Sequence, residues 1–319
     1  MLTAMTLTLA LMAAPDTVRT VDVTIPGPVP LPAKLTLPAG EGPFPAVVIV
    51  HGSGAGDMDG TLGPNKPYVD LARGLADRGV AVLRYDKRAK ANGLWYLNRR
   101  FTVYDETIED ARSAVAVLRT RAEIVPSRIV IAGHSLGGFL APRIVAGDST
   151  VAGVILLAGA YITPLDELIP RQVDYIISVS DSAGAARGRA QRAALGAMME
   201  SIRRLTPADS AQPGMIMGAP ASYWLDLRGY DPTAVARTVP QPMLILQGER
   251  DYQVTPAMLD EYVARLGERP RTTVRRFPGL NHLFIRGEGT PRPAEYAVPG
   301  HVAAEVMEVM AEWVKGLAP

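Results

Sequence analysis

The chain is expected to form a mostly parallel, doubly wound α/β sheet with an inserted helical cap, on three observations. Short apolar runs rich in β-branched residues recur at Pro45–Val50, Val80–Tyr85, Arg128–Ala132, Val151–Leu157, Pro242–Gly248 and Thr272–Phe277. Continuous runs of this kind mark strands covered on both faces. Helix-period patterns separate them, and alternation of the two element types implies parallel strands joined by helical crossovers. The rhythm then stops from about Tyr161 to Thr238 and returns at Pro242. Residues 1–160 and 239–319 are therefore read as the sheet-bearing core and 161–238 as the cap.

Taken in order, Val18–Ile25 and Ala33–Leu37 alternate apolar with polar residues around Pro26-Gly27-Pro28, an antiparallel hairpin. Pro45–Val50 runs into His51-Gly52-Ser53-Gly54-Ala55-Gly56-Asp57. A helix follows over Val69–Arg78, and then a strand ending in Arg84-Tyr85-Asp86-Lys87-Arg88. The next helix spans Thr107–Arg121, with Ile108, Ala111, Val115 and Leu118 on one face. The cap reads as helices rich in Ala, Arg and Met over Ala185–Leu205, followed by Met215–Trp224. An amphipathic helix closes the chain, with Val302, Val306, Val309, Met310 and Trp313 on one side.

Composition removes several function classes. Thirty-three Lys and Arg against 32 Asp and Glu leave a net charge of +1, so no global field draws the protein to nucleic acid or an anionic membrane. The absence of cysteine excludes disulfides, thiolate metal sites and cysteine nucleophiles. Leu2–Ala14 resembles the apolar core of a signal peptide without a basic flank or a clean cleavage site, while Thr6-Leu7-Thr8-Leu9 fits an initial strand equally well. Export and a cytoplasmic location both stay open on this reading. The segment is too short to span a bilayer.

The chemistry centres on Gly133-His134-Ser135-Leu136-Gly137, which follows the run Ile129–Ala132 and precedes a helical pattern. Gly-x-Ser-x-Gly between a strand and a helix is a nucleophile elbow, with the serine on a strained turn and the next backbone N–H at a helix N-terminus. A serine hydroxyl is a weak nucleophile near neutral pH and needs a histidine base oriented by a carboxylate. Of four histidines, His134 lies in the elbow with its side chain directed away, and His51 lies beside the loop after the first parallel strand. His301 begins the last helix, and only His282 follows the last strand in a loop. Asp251 follows the preceding strand, with Glu249 as the rival acid. The order Ser135, Asp251, His282 places each residue after a strand, at the carboxyl edge where such sheets hold their ligands. Ser53 and Leu136 are the candidate oxyanion donors through their backbone N–H groups, with Gly54 the alternative to Ser53.

Gly52-Ser53-Gly54-Ala55-Gly56 also resembles part of a dinucleotide fingerprint, but Gly60, Gly63, Pro64 and Pro67 prevent a helix from starting there, and a pyrophosphate would lack its dipole. No cofactor and no metal are expected. Lys87, Arg88, Lys90, Arg99 and Arg100, with Trp95 and Tyr96 between them, read as a solvated basic loop facing Asp57 and Asp59. Tyr161, Tyr223 and Trp224 are candidates for the substrate pocket.

His51-Gly52-Ser53-Gly54 with Asp57 and Gly60, Arg84–Arg88, Gly133–Gly138, Ser222-Tyr223-Trp224-Leu225 and Gln247–Tyr252 together resemble bacterial carboxylesterases near the dienelactone hydrolase and prolyl-oligopeptidase-like branch of the α/β hydrolases. The resemblance runs from about Val18 to the end. It implies a serine esterase acting on a small-molecule ester through Ser135, Asp251 and His282, with short acyl chains expected. A serine peptidase or thioesterase on the same residues is the alternative enzyme, and a non-catalytic ligand-binding homologue the alternative outside enzymes. Ala89-Lys90-Ala91-Asn92 departs from the glycine-rich loop common in such relatives.

Overall fold

The computed structural model describes residues 17–93 and 99–317. Leu2–Ala14, Trp95 and Tyr96 lie outside the described residues. Eight strands form one sheet: β1 (Arg19–Ile25), β2 (Leu31–Leu37), β3 (Phe44–Val50), β4 (Ala81–Tyr85), β5 (Ile124–His134), β6 (Gly153–Leu157), β7 (Met243–Gly248) and β8 (Thr272–Phe277). Their spatial order is β1-β2-β4-β3-β5-β6-β7-β8. The β1–β2 hairpin pairs antiparallel with itself and with β4, and every later pairing is parallel.

The apolar runs bury as expected, because a parallel sheet with helices on both faces leaves no side for water. All residues of β4, β6 and β7 are buried, while β1 alternates half-buried with exposed positions at the sheet edge. The helices that flank the sheet are α1 (Pro67–Ala76), α3 (Glu109–Arg119), α4 (Leu136–Val145), α8 (Pro232–Thr238), α9 (Pro256–Leu266) and α10 (Ala304–Gly316), and a single short turn, α2 (Arg88–Ala91), follows β4. One core layer gathers Val48, Ile131, Leu156 and Ile245 with α3, α4 and α9, and the other gathers Ile49, Ala132, Ile155 and Leu244 with α1 and α10. The helix expected over Thr107–Arg121 forms over Glu109–Arg119, and its expected first two residues belong to one π-helical turn, Tyr104–Ile108.

Between β6 and α8 the chain forms α5 (Leu165–Ser178), α6 (Ser182–Arg204), a 3-10 turn (Pro207–Ala211) and α7 (Ala221–Arg228). Asp181 caps α6 by accepting from the Gly184 N–H at 2.7 Å. The final helix of the stretch 161–238, α8, packs against α4 and α9 and so belongs to the layer beside the sheet. Among the described residues, no helix is long and apolar enough to cross a membrane.

Candidate active site

Parallel register brings the ends of β3, β5, β7 and β8 to one edge, with Val50 beside Gly133 and Gly248 beside Phe277. Ser135 leaves β5 with φ 52° and ψ −118°, a conformation rare for any residue with a side chain. The turn can be this tight only because its neighbours lack side chains. A Cβ on Gly133 would collide with the Gly137 carbonyl, and one on Gly137 with the carbonyl of Val50 in β3. The Ser135 N–H donates to the Leu157 carbonyl at 2.9 Å, tying the turn to β6. Leu136 then opens α4, so its N–H is one of the first-turn donors that has no partner within the helix.

Asp251 and His282 meet at 2.7 Å between Oδ2 and Nδ1, and both are buried. The other carboxylate oxygen accepts from the N–H groups of Gln253 and Val254 at 2.8 and 3.0 Å, and Gln247 Nε2 reaches Oδ2 at 3.2 Å. With Nδ1–H committed to Asp251, the neutral imidazole keeps Nε2 as its basic nitrogen. Glu249 is exposed at the end of β7, so the histidine's acidic partner is Asp251.

His134 links the elbow to the histidine loop. Its Nε2–H donates to the His282 carbonyl at 2.9 Å, leaving Nδ1 to accept the Tyr68 hydroxyl at 3.0 Å. The two imidazole rings lie 4.8 Å apart. Burial and the neighbouring His282 press the His134 pKa down to about 3, so it stays neutral and its hydrogen bonds keep one sense. His51 behaves alike: burial and then Lys87 lower it to about 4, and its Nε2–H donates to the Tyr85 carbonyl. Asn281 shapes the loop by accepting from the N–H groups of Leu283 and Ile285 at 2.9 and 3.2 Å.

The loop after β3 lies against the elbow. A Cβ on Gly52 would stand 3.2 Å from the Ser135 Cβ and 3.8 Å from its Oγ. Ser53, Gly54 and Ala55 form one wall of a cavity of about 430 Å³. Leu165, Ile169, Met217, Tyr223 and Trp224 from the inserted segment form the facing wall. Tyr161 does not line this cavity. It is 1% exposed, its ring stacked on Phe139 at a centroid distance of 4.7 Å, because the chain leaving β6 turns it into the core over α4. A larger hollow of about 600 Å³, lined by Arg119, Thr150, Gln241 and Arg271, lies near the amino ends of β5–β7, away from Ser135. Among the described residues, no cluster of three His, Asp or Glu side chains could hold a metal ion.

The basic loop is not a solvated patch. Lys90, Arg99 and Arg100 are exposed, but Lys87 and Arg88 are buried. Lys87 pairs with Glu106 at 2.6 Å, and Arg88 grips Asp110 through Nε and a terminal nitrogen at 2.8 and 2.7 Å. Asp59 instead pairs with Lys66 and Arg84, and Asp57 accepts from the N–H groups of Asp59 and Thr61. Sequence reading overlooked Tyr68 and Glu106 altogether. Each is an ordinary helix-face residue until the fold shows its partner.

Residues 47–297 match the model of the alpha/beta hydrolase family. Esterase EstD of Thermotoga maritima is 39% identical over 300 residues, covering 94% of this chain and 68% of that protein. An esterase of Pyrococcus furiosus superposes with a TM-score of 0.61 at 16% identity, over 95% of this chain and 92% of that one. Est1E of Butyrivibrio proteoclasticus gives 0.56 at 17% identity, over 92% and 99%. The eight-stranded, mostly parallel sheet accords with these matches, and the chain belongs to the alpha/beta hydrolase family.

Proposed function

We propose that the protein is a serine esterase that cleaves small-molecule carboxylic esters through an acyl-enzyme. The observation that carries the reading is the Asp251–His282 pair tied through His134 to the strained turn of Ser135. Likeness to Esterase EstD supports ester hydrolysis as the reaction.

In this reading His282 Nε2 accepts the Ser135 hydroxyl proton as Oγ attacks the ester carbonyl carbon. Asp251 holds the imidazole in the required tautomer and stabilises the imidazolium. The N–H groups of Leu136 and Ser53 receive the oxyanion. The tetrahedral intermediate collapses, the alcohol leaves with the proton from His282, and water repeats the sequence on the acyl-enzyme. The cavity beside Ser53 takes the acyl chain. Its finite, largely apolar walls favour short acyl groups, with turnover falling beyond about six to eight carbons.

The test is hydrolysis of p-nitrophenyl esters of increasing acyl length by the parent and by Ser135→Ala. Acetate and butyrate should turn over, and the variant should lose at least ~10⁴-fold in kcat/KM. Equal rates in parent and variant would sink the mechanism. Faster cleavage of peptide or thioester analogues than of every oxygen ester would reassign the substrate.

A further inference from the structure

The segment Asp86-Lys87-Arg88 has no part in the mechanism above, yet it lies directly beneath the loop that supplies Ser53. Lys87 is 3% exposed. Its Nζ donates to the Gly52 carbonyl at 3.1 Å and pairs with Glu106 at 2.6 Å. Its own N–H donates to the Gly56 carbonyl at 3.1 Å, and Asp86 accepts from the Met58 N–H at 2.7 Å. The loop after β4 therefore grips the loop after β3 at three points.

The grip at Gly52 has a geometric consequence. In a trans peptide the carbonyl and the following N–H point in opposite directions. The cis peptide among the described residues is Gly42–Pro43, so the Gly52–Ser53 unit is trans. Fixing the Gly52 oxygen on Lys87 turns the Ser53 N–H away from Lys87. A cationic donor on that oxygen also polarises the peptide and strengthens the opposite N–H as a donor. Glu106 holds the ammonium in place from the π-helical turn Tyr104–Ile108, an irregularity that commonly marks functional positions.

We propose that Lys87, held by Glu106, is a positioning residue that aims and polarises the Ser53 N–H of the oxyanion hole. The proposal rests on the serine esterase reading. An N–H left free to rotate would lose contact with the oxyanion while substrate binding in the cavity persists. The loss should therefore fall on kcat rather than KM.

The experiment uses Lys87→Met, Glu106→Gln and the double variant, assayed on p-nitrophenyl acetate. A trifluoromethyl ketone, which adds to the serine and carries a full oxyanion, serves as the transition-state probe. Lys87→Met should lower kcat by ~10- to 100-fold, less than the ~10²- to 10³-fold typical of deleting an oxyanion donor outright. KM should move less than about threefold, and ketone affinity should fall in step with kcat/KM. Lys87→Met strands a buried carboxylate and is expected to fold poorly. Glu106 also lines the cavity beside Ser53, so the double variant removes the stranded charge while Gln keeps the shape of that wall, and it should retain the kcat deficit. Return of the double variant to parental kcat would overturn the proposal, because Lys87 would then serve only to neutralise Glu106. Unchanged ketone affinity in a folded Lys87 variant would do the same. Failure of the esterase reading appears separately, as inactive parent protein or active Ser135→Ala, and would remove the proposal with it.

Discussion

Nine of the ten residues of α4, the helix behind Ser135, are buried, whereas α6 in the inserted segment buries four of twenty-three. The first helix is wedged between β3 and β6 so closely that its glycines admit no side chain. The second rests on α5 and leaves Met198 46% exposed. Neither helix lines the cavity beside Ser53, to which the loop after β3 and the helices α5 and α7 contribute, but the contrast between them separates two tasks. Groups that must hold a fixed geometry stand on strand ends where the backbone is over-determined. On the inserted side the cavity is lined by two kinds of group: half-buried Leu165 and Ile169 on α5, where replacement costs little, and Tyr223 and Trp224 on α7, which are buried in the core.

The sharpest way to break this contrast is at the carboxylate. Asp251→Asn should reduce kcat by roughly 10⁴-fold while the fold persists, because it leaves the histidine in the wrong tautomer. Glu249→Gln, two residues away and exposed, should stay within about twofold. Reversal of that order in steady-state assays would mean the buried edge does not carry the chemistry. Acid titration comes next. Burial depresses His51 to about 4, well below the 6.5 of an unfolded chain, so the unfolded state binds more protons between those values. Stability from neutral His51 is present above about pH 6.5 and lost as pH falls toward 4. In urea unfolding, the drop from pH 7 to pH 4.5 should be about 2–3 kcal/mol smaller in His51→Gln than in the parent. An identical drop in both proteins would place the proton sensitivity elsewhere.

Smaller effects are expected on the inserted side. Ile169→Ala widens the cavity wall and should raise kcat/KM for octanoate relative to butyrate by roughly tenfold, leaving acetate little changed. A uniform change across all chain lengths would mean that Ile169 does not face the acyl chain. Tyr175 on α5 stacks on Tyr252 at 5.2 Å and donates to the Pro291 carbonyl at 2.9 Å. Tyr175→Phe keeps the stack and drops the hydrogen bond, and should cost at most about 1 kcal/mol by thermal unfolding.

Much of the sheet was legible because strand and helix periods are local properties of the chain. The buried runs at Pro45–Val50 and Pro242–Gly248 read directly as strands, and the strand ends located Ser135, Asp251 and His282. What stayed hidden depends on partners distant in sequence. Lys87 and Arg88 look solvated until Glu106 and Asp110 arrive from a turn and helix about 20 residues later. Burial of a charge is a property of the pair, and neither residue shows it alone. Tyr161 failed for a related reason: as an aromatic residue at the start of the cap it was a pocket candidate, but Phe139 offered a stacking surface inside the core. The π-helical turn left no trace in the periodicity, which cannot register a single inserted residue.

The inserted helices leave the sheet after β6, and α8 alone carries the chain back to β7, the neighbouring strand. β6, α8 and β7 thus make a complete strand–helix–strand crossover into which α5–α7 are spliced. Loop closure grows only logarithmically with length, about 0.6 kcal/mol for each doubling. Closure entropy alone therefore sets little penalty on a longer or shorter splice, and what an exchanged insert must replace is the burial of Leu168, Met199, Tyr223 and Trp224 against the core. A chimera with a different insert between Thr163 and Tyr230 keeps Gly159 against the Ser135 turn, the Tyr161 stack on Phe139 and the Asp231 cap of α8, and it should keep the strand-end residues in place while changing the walls of the cavity.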